Sequence, residues 1–254
     1  MERGLYAAAS AMMAQQAVQE SIAQNIANAN TTGYKQDNLT FKALHGMMLQ
    51  RNLNGVGTGP NVGELGMGVT NDQTYTDWQE GMRATTGNPL DLSLDKGQFF
   101  AVSTPIGERY TRAGNFKLNG AGQLLTADGK PVLGRNNAPI VLKNSDVQVR
   151  SNGDISSGGQ IVAQLKIMQS DPDQLQRQQL LRKEGDNLFA TTNPGALQAA
   201  TTPGVHSGTL EQSNVNSVQS LVQMITAERG FDMAQRAITT QDDLLRQANT
   251  EIGK

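Results

Sequence analysis

Two aspartates four residues apart are the first candidates for chemistry. Asp91 and Asp95 stand in the run Leu-Asp-Leu-Ser-Leu-Asp over 90–95. On a strand, Leu90, Leu92 and Leu94 face one way and Asp91, Ser93 and Asp95 the other. Paired carboxylates on one face are what glycoside hydrolysis requires. The plainer reading is a solvated strand face, and 6 Phe, 4 Tyr and 1 Trp leave few platforms for a sugar ring. The two histidines, His45 and His206, lie far apart, and neither has a nucleophile motif beside it. Cysteine is absent, which excludes disulfides, thiolate zinc sites and iron–sulfur clusters. Gly129-Lys130 runs into Pro131, and position 124 is Leu, so no phosphate-binding loop forms. The Gly55–Pro60 stretch does not complete a dinucleotide loop. Asp128 and Asp154 sit in turns, where Asp is favoured for backbone reasons alone. The expectation is no catalytic residue, no metal and no cofactor.

Composition points toward assembly. The chain of 254 residues has formal net charge −2. Its Lys and Arg are scattered, without a basic stripe for nucleic acid or a polybasic segment for anionic lipid. No apolar run is long enough to span a bilayer, so direct membrane insertion is not expected. The first 20 residues hold one Arg and no continuous apolar core, so no cleaved signal peptide is expected. Amides are abundant, with 25 Gln and 20 Asn. Amide side chains make neutral hydrogen bonds that tolerate salt and repeat well between identical subunits.

The elements fall into three patterns. Residues 1–28 and 214–254 lack proline and follow a helical period. Leu5, Ala8, Met12, Gln15, Gln19, Ile22, Ile26 and Ala29 are spaced alternately three and four apart, the seam of a coiled coil. Met224, Phe231, Ile238, Leu245 and Ile252 recur every seven residues, with Val218, Leu221, Val222 and Ile225 adding an apolar start. The second row of that seam is read as Glu228, Gln235, Asp242 and Asn249. A stripe this narrow suits a helix packed against one or two others, within the chain or between chains. Gly230 costs about 1 kcal/mol in a helix interior. The middle reads as about seven short strands: 98–103, 109–111, 116–118, 124–126, 140–142, 147–150 and 161–168, punctuated by Asn-Gly and Asp-Gly turns. The expected fold is mainly β with terminal α-helices, an antiparallel sandwich or open barrel flanked by N- and C-terminal helices that pair as a coiled coil. The expected division is a discontinuous helical domain over 1–35 and 209–254, an extended glycine-rich connection over 36–80, and a β domain over 81–208.

Residues 25–35, Asn-Ile-Ala-Asn-Ala-Asn-Thr-Thr-Gly-Tyr-Lys, resemble the N-terminal signature of bacterial flagellar axial proteins, the rod and hook group. Asn25, Ala27, Asn28, Thr31, Gly33, Tyr34 and Lys35 match it one by one. Ser213, Asn214, Val215 and Asn216, followed by Leu221, Met224, Ile225, Arg229 and Phe231, are similar to that family's C-terminal helix. The runs 86–91, 97–100 and 110–116 resemble the start of its β domain. Length and a single middle domain look like a basal-body rod protein, of proximal or distal type, rather than the longer hook protein.

The resemblance implies a structural, non-catalytic subunit. It would leave the cell through the flagellar type III export apparatus without a cleaved signal. It would polymerise helically with itself and other axial proteins in the periplasm, forming the drive shaft from rotor to hook. The assembly seam would comprise Leu5, Met12, Ile22 and Ile26 with Val218, Leu221, Met224, Ile225, Phe231, Ile238, Leu245 and Ile252. Two other readings stand beside it: a secreted β-domain carbohydrate hydrolase using Asp91 and Asp95, and a junction adaptor of the same assembly.

Overall fold

A computed structural model describes residues 2–44, 47–50, 61–142, 147–171, 174–175, 180–191, 193, 195 and 197–252. His45 and the Gly55–Pro60 stretch lie outside them. The fold is mainly β with a helix at each end, in two compact units. The first comprises Met1–Ile26, Asp37–Tyr75 and Ser217–Lys254, and the second Ala27–Gln36 and Thr76–Asn216.

The first unit holds helices α1 (Glu2–Ala27) and α2 (Ser217–Ile252). Both are free of proline, and α1 is rich in alanine, the best helix former. Covered positions on α2 are Ser220, Met224, Ala227, Phe231, Ala234, Ile238, Gln241, Leu245 and Ala248, spaced alternately four and three, together with Gly230. The expected row of Glu228, Gln235, Asp242 and Asn249 is exposed instead. From Met224 either a three- or a four-residue step completes the lattice. The three-step row carries mostly small side chains, so it admits a close neighbour without desolvating charge.

α1 is covered on two flanks. Its seam residues Leu5, Met12 and Ile26 are half-buried and Ile22 is buried. On another flank it meets strands Asp37–Ala43 and Val69–Thr76, which pair with each other. The Ser10 hydroxyl accepts the Val69 N–H at 3.2 Å, and a Cβ on Gly68 would collide with that hydroxyl. The region expected as an extended connection thus forms ribbon, including a second antiparallel pair of Met47–Gln50 with Asn61–Leu65.

The second unit is built on a six-stranded antiparallel sheet. Its order is Leu181–Lys183, Leu188–Thr191, Gly107–Thr111, Gln98–Thr104, Ile167–Gln169 and Gln198–Ala199. Successive side chains on a strand point to opposite faces. Phe99 and Phe189 therefore join one core cluster, around Trp78, Leu181 and Leu197, while Phe100 and Leu188 join the other, with Phe116, Leu124 and Ile155. A three-stranded sheet of Val147–Val149, Asp154–Ser157 and Gln160–Gln164 contributes to the second cluster. Among the described residues no barrel closes.

Local differences from the expected strands have identifiable causes. The Asn152-Gly153 turn opens a hairpin whose strand Asp154–Ser157 was not anticipated. The expected strand 161–168 breaks near Leu165, which bridges to Gly134. Ser93 does not share a solvated face with Asp91 and Asp95. It is fully buried, its hydroxyl 2.7 Å from that of Thr209, because the chain returning through Val205–Ser207 pairs with Leu92–Leu94.

Phe189 is fully buried and touches Trp78 with ring centroids 4.9 Å apart. Phe189→Ala should cost about 3–5 kcal/mol. Ile106→Ala, on an exposed side chain of the same unit, should stay within about 0.5 kcal/mol. Urea titration followed by Trp78 fluorescence checks both.

Candidate functional site

Among the described residues, buried charge gathers where the two ends of the chain enter the second unit. The N-terminal motif leaves α1 through a turn in which the Thr31 N–H donates to the Asn28 carbonyl at 3.1 Å and the Thr31 hydroxyl donates to the Asn28 side chain at 3.1 Å. Gly33 follows with φ +68, a left-handed conformation that favours glycine. A Cβ there would also meet the Arg112 carbonyl at 2.6 Å. The Gly33 N–H donates to the Glu211 carbonyl at 2.8 Å, and Asn187 donates to the Thr32 carbonyl at 2.7 Å. Tyr34 is buried, with the Lys183 ammonium 4.1 Å from its ring centroid. The same ammonium donates to the Lys35 carbonyl.

Lys35 is 1% exposed and Glu211 2%. The Lys35 ammonium donates to Glu211 Oε1 at 2.7 Å and to the Gln79 carbonyl at 2.6 Å. Glu211 Oε2 accepts from Arg112 Nε at 2.7 Å, while Arg112 Nη1 donates to the carbonyls of Asp95 and Gln98, each at 2.7 Å. The Gly81 N–H reaches Glu211 Oε1 at 3.2 Å, and Glu80 stands 3.5 Å from Arg112. Two cations and two carboxylates thus neutralise each other, with backbone carbonyls satisfying the remaining donors. Burial pulls the Lys35 ammonium below the usual lysine range, and attraction to Glu211 offsets only part of that. Burial also pushes Glu211 upward, but Arg112 and Lys35 outweigh it and hold the carboxyl below the usual range.

Asn214 completes the joint with its amide. Its Oδ1 accepts the Gln36 N–H at 2.7 Å, and its Nδ2 donates to the carbonyls of Asp77 at 2.9 Å and Gln79 at 3.2 Å. Ser213 turns the chain by accepting the Val215 N–H at 3.2 Å. Within the first unit, buried Asn25 does similar work, its amide bonding both the carbonyl and the N–H of Asp37, at 2.8 and 3.0 Å.

Asn28 and Thr31 are half-buried, as are Ser213 and Val215, while Ala27 and Asn216 are exposed. Met224, Phe231, Ile238 and Leu245 are half-buried; Val218, Leu221 and Ile225 are at least half exposed. The Ile252 side chain lies outside the described ones. Asp95 meets His206 at 2.9 Å and Arg83 at 3.1 Å on an open surface, and hydrogen bonding from His206 leads in lowering its pKa. The neighbouring Ser207 hydroxyl donates to the Pro89 carbonyl at 3.1 Å, and Ser93 is buried. Glu211, Glu80, Lys183 and Asn187 were not anticipated. The available signal was a lone carboxylate in the short strand Thr209–Glu211, just before the Ser213–Asn216 motif.

Lys35, Arg112 and Glu211 come from three segments that each match a family description. Residues 5–35 match the model for a flagella basal body rod protein. Residues 96–157 match that for the flagellar hook protein FlgE/F/G D1 domain, and 206–251 that for the flagellar basal body rod FlgEFG protein C-terminal. The chain is 34% identical to the flagellar basal-body rod protein FlgG of Bacillus subtilis, covering 97% of this chain and 98% of that one. The chain belongs to the FlgF/FlgG family of flagellar basal-body rod proteins. It is also 32% identical to the FlgF of Caulobacter vibrioides, covering 100% of this chain and 99% of the relative. Against the hook-basal body complex protein FlhO of B. subtilis it is 30% identical over the full length of both. As a FlgF/FlgG rod protein it is a structural subunit of the flagellar basal body, not an enzyme. The carbohydrate-hydrolase reading is set aside: in this family the chain builds structure, and Asp95 is engaged with Arg83 and His206.

Removing one partner of a buried pair leaves an uncompensated charge. Glu211→Gln, which strands Lys35 and Arg112, should cost about 3–5 kcal/mol. Lys35→Met should cost less, because Glu211 keeps Arg112. Urea titration of the two variants checks the order. A depressed carboxyl stabilises the fold above its unfolded pKa, and that contribution is lost as pH falls through the folded value. Stability of the parent should therefore drop below about pH 4, the ordinary glutamate range, with a shallower acid limb in Glu211→Gln.

Proposed function

We propose that this rod protein polymerises helically with itself and with other flagellar axial proteins into the shaft that carries torque from rotor to hook. The observation that carries this reading is the second apolar row of α2. Val218, Leu221, Val222 and Ile225 are 50–70% exposed and uncharged. They lie beside the covered row of Ser220, Met224 and Ala227. Burying one such side chain contributes about 1.5–3 kcal/mol, so four of them repeated in every subunit hold a polymer well. Open head-to-tail contacts give a helical filament rather than a closed ring.

In this reading the helices within 1–35 and 209–254 form the assembling domain, joined in the first unit by the ribbon of 36–80, and 81–208 is the body of the β domain. The terminal helices pair in coiled-coil fashion and pack with those of neighbouring subunits. Leu5, Met12, Ile22 and Ile26 meet Met224, Phe231, Ile238, Leu245 and Ile252. The subunit passes through the flagellar type III export apparatus without a cleaved signal and assembles in the periplasm. It binds no nucleic acid and inserts in no membrane.

Val222→Asp places a charge on the exposed row, and Phe231→Asp places one in the covered seam. Both should abolish swimming in soft agar and leave rods missing from purified basal bodies. The second unit should stay folded by Trp78 fluorescence. Normal rods built from both variants would overturn the reading.

A further inference from the structure

Two close approaches fix where α1 meets α2. A Cβ built on Gly230 would lie 3.0–3.2 Å from the amide end of Gln15. A Cβ on Gly4 would collide with the amide of Gln241. Gly4 and Gln15 are eleven residues apart along α1, and Gly230 and Gln241 are eleven apart along α2 in the reverse pairing. The helices are therefore antiparallel, and a single register makes both contacts. Eleven residues are close to three turns, so both contacts lie on one face of each helix.

The rest of the seam discriminates weakly between registers, because its large and small positions both recur every seven residues. It offers Ala7, Ala8, Ala11 and Ala14 on α1, and Ser220, Ala227, Ala234 and Ala248 on α2, all wholly or partly covered. The larger members, Met224, Phe231, Ile238 and Leu245, recur every seven residues, so a slip of seven again sets large positions where large ones stood and small where small. The two glutamines do not recur in this way. One slip sets Gln15 against Ala237 and Gln241 against Ala11, where a methyl replaces the glycine hydrogen and each amide end must shift out of its present place. The other slip sets Gln15 against Gln223. The Gln241 Oε1 atom is buried without a hydrogen-bond partner. A polar side chain inside an apolar seam specifies register at a cost in stability.

We propose that the reciprocal pairs Gln15–Gly230 and Gln241–Gly4 lock the terminal helices into one antiparallel register and reject the heptad-slipped alternatives. The lock belongs to the single chain and does not depend on the rod reading.

The chain has no cysteine, so introduced pairs report register cleanly. In the full-length protein, Ala11→Cys with Ala234→Cys tests the matched register, and Ala11→Cys with Ala227→Cys tests a slipped one. Under mild oxidation the matched pair should close and the slipped pair stay reduced. Gly230→Gln, which sets two glutamines face to face, should abolish that preference. Adding Gln15→Gly, which exchanges the two partners, should restore it. Closure of the slipped pair as fast as the matched one, or of neither, would overturn the proposal. So would an unchanged preference in Gly230→Gln, or no recovery in the exchanged variant.

Discussion

A carboxylate held between two cations out of water constrains the second unit more than any other interaction. Glu211 is reached by Lys35 and Arg112 at 2.7 Å each, with all three side chains nearly inaccessible. None of these charges tolerates burial alone, because desolvation exceeds what a single pair returns. The three residues are far apart in sequence, and Glu211 closes the set only 176 positions after Lys35. The joint therefore forms only when the segment following α1 and the segment preceding α2 lie side by side. Gly33 and Asn214 serve the same end, the first by letting the backbones of 33 and 112 approach, the second by tying Gln36, Asp77 and Gln79 together.

The first unit works with weaker forces. Its helices bury mostly alanine, serine and glutamine beside a few large apolar side chains. Such a seam gains little from area and much from close approach, and a lone helix of this kind is marginal in water. The contrast with the β unit, which buries Phe99, Phe100, Phe116, Phe189 and Trp78, suits a rod subunit. A unit rich in large apolar side chains stands alone, whereas one with exposed Val218, Leu221, Val222 and Ile225 gains from neighbours.

Much of this was legible in the sequence. The terminal helices followed from seven-residue recurrence, and the β middle from short runs between Asn-Gly and Asp-Gly turns. The motif ending in Gly-Tyr-Lys and the Ser-Asn-Val-Asn segment marked the two chain entries. The ion cluster was not legible, because its pairing depends on which distant strands become neighbours, and no local period encodes that. Ser93 misled for the same reason: alternation predicted solvent on its face, and the returning strand covers it. The second row of α2 failed differently. Both Glu228 and Ala227 fit a heptad with Met224, and only the neighbouring helix decides between them.

The central claim, that this chain is a subunit of the rod, is tested most directly by quantitative mass spectrometry of basal bodies purified from the source organism. The account predicts the protein there in fixed proportion to the other axial components. Its absence from intact basal bodies, in cells that make it abundantly, would contradict the account.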